Sequence, residues 1–538
     1  MKKLKLTTFI LILFTSYACT DLETLPKNTL LPNVLFQDEG SYISYLAKLY
    51  GSLTLTGQDG PNGSGDISII NDEGFGSYIR AYWKAQILPT DEAMIRWTDA
   101  GIQDLNFMTW SSDNQFVRVL YYRIMYTISL CNDFLAVSTD ESLLANGISE
   151  EGQQRIKTYR AEARFLRALA YWHGLDFYRN IPILTQISSA LPVQSSGEEV
   201  YDFIIKELDE IESDLGDPEI GFGGPYYGRA TKAALWMLRS KVKLNHSVYT
   251  GSESTAIYSE VIDDLNEIMN TGYVLEDEYL NLFNANNHTS NEVIFALTHD
   301  GTFSQSWGGT TFMVRAALFD GMEADSLYGV GGGWSGIITT SQFNDRFEKG
   351  GVLDYADTRN VIFTTGRIEA ITEDFRNTLT DGYASAKYSN VTKEGVAGSN
   401  LDHVDTDFPM FRLADVYLMY AEAALRGASN GDRATGLSFI NELRARAYGD
   451  GSENILDTDF TLDYILEERG RELYFEGHRR ADLIRFNKYS ERAGGDEFIW
   501  DWKGQNIDGT SVSSHLEIFP IPASELGVNS NLTQNEGY

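Results

Sequence analysis

The sequence predicts a mainly α fold: stacked tetratricopeptide-like helix pairs with a loop-rich second lobe carrying short strands. Three observations point there. Apolar residues recur at helical spacing in long runs before residue 271 and again after residue 409. Neighbouring runs are joined by short polar turns, as in stacked helix pairs, although no clean sequence repeat of about 34 residues accompanies them. Between about 272 and 408 the texture changes. Gly, Asn, Ser and Thr cluster there with scattered aromatic residues, and only short strand-like runs such as Glu292 to Thr298 occur. Irregular insertions on a rigid helical frame are where binding sites tend to lie.

Residues 1–18 read as a signal peptide. Lys2, Lys3 and Lys5 make a positive start, Phe9 to Phe14 a brief apolar core, and Ala18 a small residue before the cut. The apolar run is far shorter than the roughly 20 residues that span a bilayer. Cys19 then becomes the expected lipidation site, so that acyl chains anchor the mature protein; an ordinary signal peptide with an incidental cysteine is the alternative. Residues 19–37 form a polar tether. Residues 38–271 are the first part of the helical scaffold, with helices expected at about 38–53, 114–137, 153–178, 198–214, 229–249 and 255–270. In the helix over 153–178, Ile156, Tyr159, Ala163, Leu166 and Ala170 form one stripe and Phe165, Leu169 and Trp172 another, which predicts burial on both sides. Ligand-site loops are expected near 57–110, opening on the Gly-rich stretch Gly57 to Gly65. Residues 272–408 form the loop-rich ligand-binding lobe. Residues 409–538 complete the scaffold, with helices at about 410–427, 432–448, 460–476 and 479–489.

Charge and composition narrow the function. The formal net charge is −34, a surface that repels phosphate backbones and argues against nucleic acid. Aromatic residues make up 12% of the chain, with 30 Tyr and 9 Trp, more ring surface than a helical core needs and suited to sugars. Apart from Cys19 the only cysteine is Cys131, so no internal disulfide network is possible. Carboxylate pairs arise by chance among 77 acidic residues; Glu467-Glu468 and Asp263-Asp264 lie within helices and read as solvated faces. The histidines form no ligand pair, and His173 reads as a hydrogen-bonded core residue. There is no nucleophile elbow or phosphate loop, and Gly329 to Trp334 lacks dinucleotide-site spacing. No enzyme, metal or cofactor is therefore expected.

Four stretches carry a family resemblance. They are Arg160 to Tyr171 with Asp176-Phe177-Tyr178; Arg412 to Ala423; Glu468 to Arg480 running on to Phe486; and Phe519-Pro520-Ile521-Pro522 with Gln534 to Tyr538. Together, and in this order, they resemble the SusD/RagB family of outer-membrane nutrient-binding lipoproteins. Read as residues, these motifs are scaffold: alternating Arg and Glu beside large apolar side chains on packed helices. Leu88 to Glu92, Trp500 to Gly504 and Asn506 to Ser513 are similar to the starch-binding branch of that family. The resemblance implies a surface protein of the outer membrane that captures α-glucan oligosaccharides (starch, maltooligosaccharides) and passes them to a SusC-like TonB-dependent transporter. It also implies the site. Arg80 matches a hydroxyl-binding arginine, Trp97 and Trp334 match rings of an aromatic arc, and Trp307 stands where the family has a tyrosine. Trp83, Trp110, Trp172 and Trp236 read as packing. Two positions depart: Ile95 replaces another arc tryptophan, and Ala100 stands near a binding asparagine. A different glycan such as a fructan, or peptide, is the first alternative; a surface glycosidase using Asp91, Glu92 or Asp99 is the second.

Overall fold

The computed structural model describes residues 35–70, 72–221, 224–491 and 498–538; the expected signal peptide, Cys19 and the tether up to residue 34 lie outside the described residues. Helices arise where the apolar spacing predicts them, within about five residues at each end, and also at Tyr78–Ile87 and Gly309–Ala316, where it predicts none. In the first part they are α1 (Glu39–Thr54), α2 (Tyr78–Ile87), α3 (Gln115–Val137), α4 (Glu150–Tyr178), α5 (Gly197–Ile211), α6 (Lys232–Leu244) and α7 (Thr255–Met269). After α8 (Gly309–Ala316) in the lobe come α9 (Leu413–Leu425), α10 (Arg433–Tyr448), α11 (Leu462–Glu472) and α12 (Arg479–Arg485).

Capping side chains set several of the starts. Asn114 accepts from the Phe116 and Val117 N–H groups, Ser149 from Gly152, and Ser196 forms a capping box with Glu199. From Ala161 to Tyr178 nearly every residue of α4 is buried, as its two apolar stripes predict. The helices then pack in sequence: α3 on α4, α4 on α5, α5 and α7 on α6, α7 on α9, and α9 on α10 and α11. This is the expected tetratricopeptide-like stack, 47% helix against 7% strand among the described residues.

The lobe is stitched to the scaffold by small antiparallel ladders. β1 (Ala93–Ile95) pairs with β3 (Ile337–Thr339), β2 (Val293–Leu297) with β6 (Phe408–Arg412), and β4 (Ile362–Phe363) with β5 (Ala384–Ser385). β2 is the strand expected at Glu292 to Thr298, and β6 runs straight into α9. One apolar cluster extends from Phe36 to Ile521 and takes in Leu169 and Leu235 of the stack with Phe312, Ile338 and Phe375 of the lobe. The scaffold and the lobe therefore share a core.

Two expectations need correction. The stretch near 57–110 is not all loop: every residue of α2 is buried, and β1 follows it. Its short apolar pattern is masked by Arg80, Lys84 and Gln86, which point inward. The acidic pairs are not both solvated faces either. Glu468 is fully buried and pairs with Arg359 at 2.7 Å and Arg471 at 2.7 Å, while Glu467 bridges to Arg346 at 3.2 Å. Asp264 is buried against Arg239 at 2.5 Å, a contact that spacing within one helix cannot reveal.

A row of tryptophans as the candidate binding site

Arg80 begins the site from below. Ser77 caps α2 by accepting from the Arg80 N–H, and the helix then drives the side chain inward. The guanidinium lies 4.0 Å from the Phe75 ring and 4.4 Å from the Phe312 ring. Its Nη1 donates to the Trp307 carbonyl at 3.2 Å and stands 4.0 Å from the Asp72 carboxylate. Only 4% of the side chain is exposed, and burial pushes its pKa down to about 10. One turn on, the Lys84 ammonium sits 4.1 Å from the Phe116 ring and 4.6 Å from the Phe75 ring, with no hydrogen-bond partner among the described residues. Burial first, then repulsion from Arg80, holds its pKa well below the usual lysine range. Arg80 and Lys84 thus both lie against aromatic ring faces, which favour the charged form of each where burial opposes it.

Trp307 is pinned at both ends of its peptide unit. Its N–H donates to Glu73 Oε2 at 2.9 Å, the Ser306 hydroxyl donates to Glu73 Oε1 at 3.0 Å, and its carbonyl takes Arg80. The approach requires Gly74, where a Cβ would come within 2.6 Å of the Trp307 carbonyl oxygen. Trp334 is held on the C-terminal end of α8: its N–H donates to the Arg315 carbonyl at 2.7 Å, and those of Ser335 and Gly336 to Leu318 and Ala316 at 2.9 and 2.8 Å. Trp97 follows β1, and its indole N–H donates to the Trp334 carbonyl at 3.3 Å. A Cβ at Gly336 would meet Trp97 Cζ2 at 2.6 Å, so glycine is what lets that ring lie flat on the loop.

The fold thereby brings together all four residues expected at the site, Arg80, Trp97, Trp307 and Trp334. The ring centroids of Trp97 and Trp334 are 6.2 Å apart with planes at 52°, and those of Trp334 and Trp307 are 6.2 Å apart at 53°. All three rings are half-buried. Arg315 sits 5.3 Å from the Trp334 ring and 5.9 Å from that of Trp307, and His403 packs on Trp307 at 4.3 Å. Three neighbouring rings, each inclined to the next by just over 50°, offer a stepped apolar surface rather than a flat one.

The other named positions sort by burial. Trp83, Trp110, Trp172 and Trp236 are buried in packing. Ile95 is fully buried opposite Ile337, so it fills core and leaves no notch in the row. Ala100 is exposed, and its carbonyl accepts from Gln115 at 2.7 Å. Asp91 and Glu92 point into the core. Arg479 donates to both oxygens of Asp91 at 2.8 Å, and Glu92 accepts from the Phe475 N–H at 3.1 Å. Burial raises the Glu92 carboxyl to about 7, but no ligand can reach it at 1% exposure. Asp99 alone of the three is exposed. His173 bonds Tyr78 at 2.7 Å within the core. Sequence reasoning missed Glu73, Arg315 and His403, whose roles depend on contacts between chain segments far apart in order. Among the described residues no cluster of His, Cys, Asp and Glu is arranged to hold a metal ion.

Known proteins now give the frame. A model of the SusD family matches residues 369–538. The starch-binding protein SusD of Bacteroides thetaiotaomicron is 33% identical over 94% of this chain and 92% of its own. SusD-like protein P2 of Formosa agariphila is 25% identical over the whole of both chains. Among solved structures, surface glycan-binding protein A of Bacteroides thetaiotaomicron in complex with laminarihexaose aligns with TM-score 0.67 and 19% identity, over 92% of this chain and 99% of that one. A SusD superfamily protein from the same organism aligns with TM-score 0.69 and 20% identity, over 93% and 99%. Full-length identity of this order, together with the helical stack, establishes that the chain belongs to the SusD family.

Proposed function

We propose that this chain is a surface glycan-binding lipoprotein, anchored to the outer membrane through Cys19, that captures α-glucan oligosaccharides and passes them to a SusC-like TonB-dependent transporter. The observation that carries the reading is the row Trp97–Trp334–Trp307, with centroids 6.2 Å apart and planes turned by 52° and 53°. Coplanar rings suit a flat, ribbon-like chain, whereas rings inclined to one another suit a chain whose successive sugars change orientation, as those of α-linked glucans do. Each ring covers about 60–80 Å² of apolar sugar face, or about 1.5–2 kcal/mol at 25 cal/mol/Å². Three such contacts total about 4.5–6 kcal/mol; if bonds to the sugar hydroxyls offset the cost of association, the Kd is on the order of 0.1–1 mM, weak enough for release to a transporter. Arg80 serves the site chiefly by holding Trp307, with its small exposed edge left for a hydroxyl. The similarity to a starch-binding relative at 33% identity supports the same cargo. A β-1,3-glucan is the second reading, because a solved neighbour holds laminarihexaose and that chain curves as well.

The test is calorimetric titration of the chain from Thr20 onward, which retains every described residue. Maltoheptaose, laminarihexaose, cellohexaose and a fructan are the ligands. Heat from maltoheptaose, abolished in W334A, is the expected result. Binding of another glycan alone moves the cargo and keeps the site. No heat with any of them overturns the proposal, and release of shorter sugars from maltoheptaose would make the protein a hydrolase instead.

A further inference from the structure

We propose that Phe303 forms a further stacking subsite, extending the tryptophan row beyond Trp307 and taking a sugar ring only from the longer oligosaccharides. The inference rests on the glycan-binding reading above. Phe303 is 89% exposed, more than any other large apolar side chain among the described residues. Exposed apolar residues scattered singly are ordinary on protein surfaces, so exposure alone decides nothing. Its setting does. The turn that carries it is rigid: the Thr302 and Phe303 N–H groups both donate to Asp300 Oδ1 at 2.7 Å, the Ser304 N–H to the Asp300 carbonyl at 3.0 Å, and the Gln305 side chain to the Gly301 carbonyl at 2.7 Å.

The turn also packs on the segment that supports Trp307. The Gly301 N–H donates to Asp405 at 2.7 Å, and the Thr302 hydroxyl donates to Ser399 at 3.2 Å. A Cβ at Gly301 would meet the His403 carbonyl at 2.5 Å, and the His403 ring lies against Trp307. Phe303 precedes Trp307 by four residues, so the two lie within about 14 Å of each other along the chain. A ring held out in water on a preorganised turn beside a row of stacking rings loses little further entropy on binding. The carboxylates of Asp300 and Asp405, both bonded to the turn, disfavour an anionic ligand and leave a neutral sugar as the chemistry that fits.

The test is a length series, maltotriose to maltoheptaose, titrated into the wild type, F303A, F303Y and W334A, with unfolding midpoints measured alongside. If laminari-oligosaccharides prove to be the ligand, the same series is run with them. F303A is expected to bind the shortest ligand like the wild type and to bind the heptaose about tenfold more weakly, about 1.4 kcal/mol, with F303Y restoring the loss. W334A is expected to weaken every length. Wild-type affinity of F303A at every length overturns the subsite and leaves the tryptophan row intact. Equal weakening at every length also overturns it, because Phe303 then acts by supporting Trp307. No binding by the wild type to any length of either series removes the glycan reading and the subsite with it.

Discussion

Trp307 shows how single residues set the row, because its peptide unit is fixed by two side chains from one short segment. Glu73 holds its N–H and Arg80 its carbonyl, so both contribute to where the indole lies. E73A removes one of these holds from a part-buried site. Expected is a loss of about 1 kcal/mol of local order, read as several-fold weaker oligosaccharide binding with little change in the unfolding midpoint. G336A acts from the other side. The added Cβ would stand 2.6 Å from Trp97 Cζ2, so that ring must lift and the turn between Trp97 and Trp334 must change. Weaker binding with an altered indole signal in near-ultraviolet dichroism is the expected outcome; an unchanged affinity would count against Trp97 as a contact.

At the scale of elements, the sequence motifs that mark the family prove to be ion networks between helices and strands. Glu472 of α11 is fully buried and meets Arg359 at 3.2 Å and Arg412 of β6 at 2.7 Å, and it also pairs with Arg446 of α10. Arg412 in turn bonds Glu292 at 2.8 Å and Glu476 at 2.6 Å. Such groups are costly to desolvate and are kept by their partners, so removing one leaves others unpaired. E472A is expected to cost about 3–5 kcal/mol, read as a lower denaturant midpoint, without any direct effect on the tryptophan row. A midpoint within error of the wild type would mean that the three arginines find other partners. Element ends follow simpler rules. Ser196 and Glu199 cap α5 reciprocally, and S196A is expected to cost about 1 kcal/mol by the same measurement.

Across the whole molecule, the buried charges tie stability to pH. The carboxyls of Glu468, Glu422 and Asp91 are lowered to about 2; burial alone would raise them, and the arginines around them more than reverse it. Groups with depressed carboxyl pKa values contribute stability above the unfolded value, about 4, and lose it as pH falls through the folded one. Burial also lowers His173 to about 3 and His299 to about 4, so each resists protonation in the folded state and adds to the same loss below its usual value of about 6.5. Stability measured by denaturant is therefore expected to decline as pH drops below about 6.5, offset in part by protonation of buried Glu92 near pH 7, and to fall most steeply between about pH 5 and pH 2. A protein as stable at pH 3 as at pH 7 would contradict the networks. Cys131 reports on the same core: it is fully buried, and burial pushes its thiol up to about 12, so alkylation is expected only on unfolding.

The sequence by itself determined the helical stack, the loop-rich insertion, the strand at 293–297 and the family, because apolar periodicity and recurrent motifs are local properties of the chain. It also named Arg80, Trp97, Trp307 and Trp334, through a resemblance and through the placement of Trp307 and Trp334 in Gly-rich stretches rather than helical stripes. Only the tertiary structure decided how they meet. The helix under Arg80 was hidden by polar residues that turn inward, and the partners of Glu468 and Asp264 lie on other elements. Glu73 carries no signal beyond an ordinary turn, yet it fixes a tryptophan far along the chain. Contacts of that kind depend on which segments the core brings together, a property of the packed whole that no local spacing encodes.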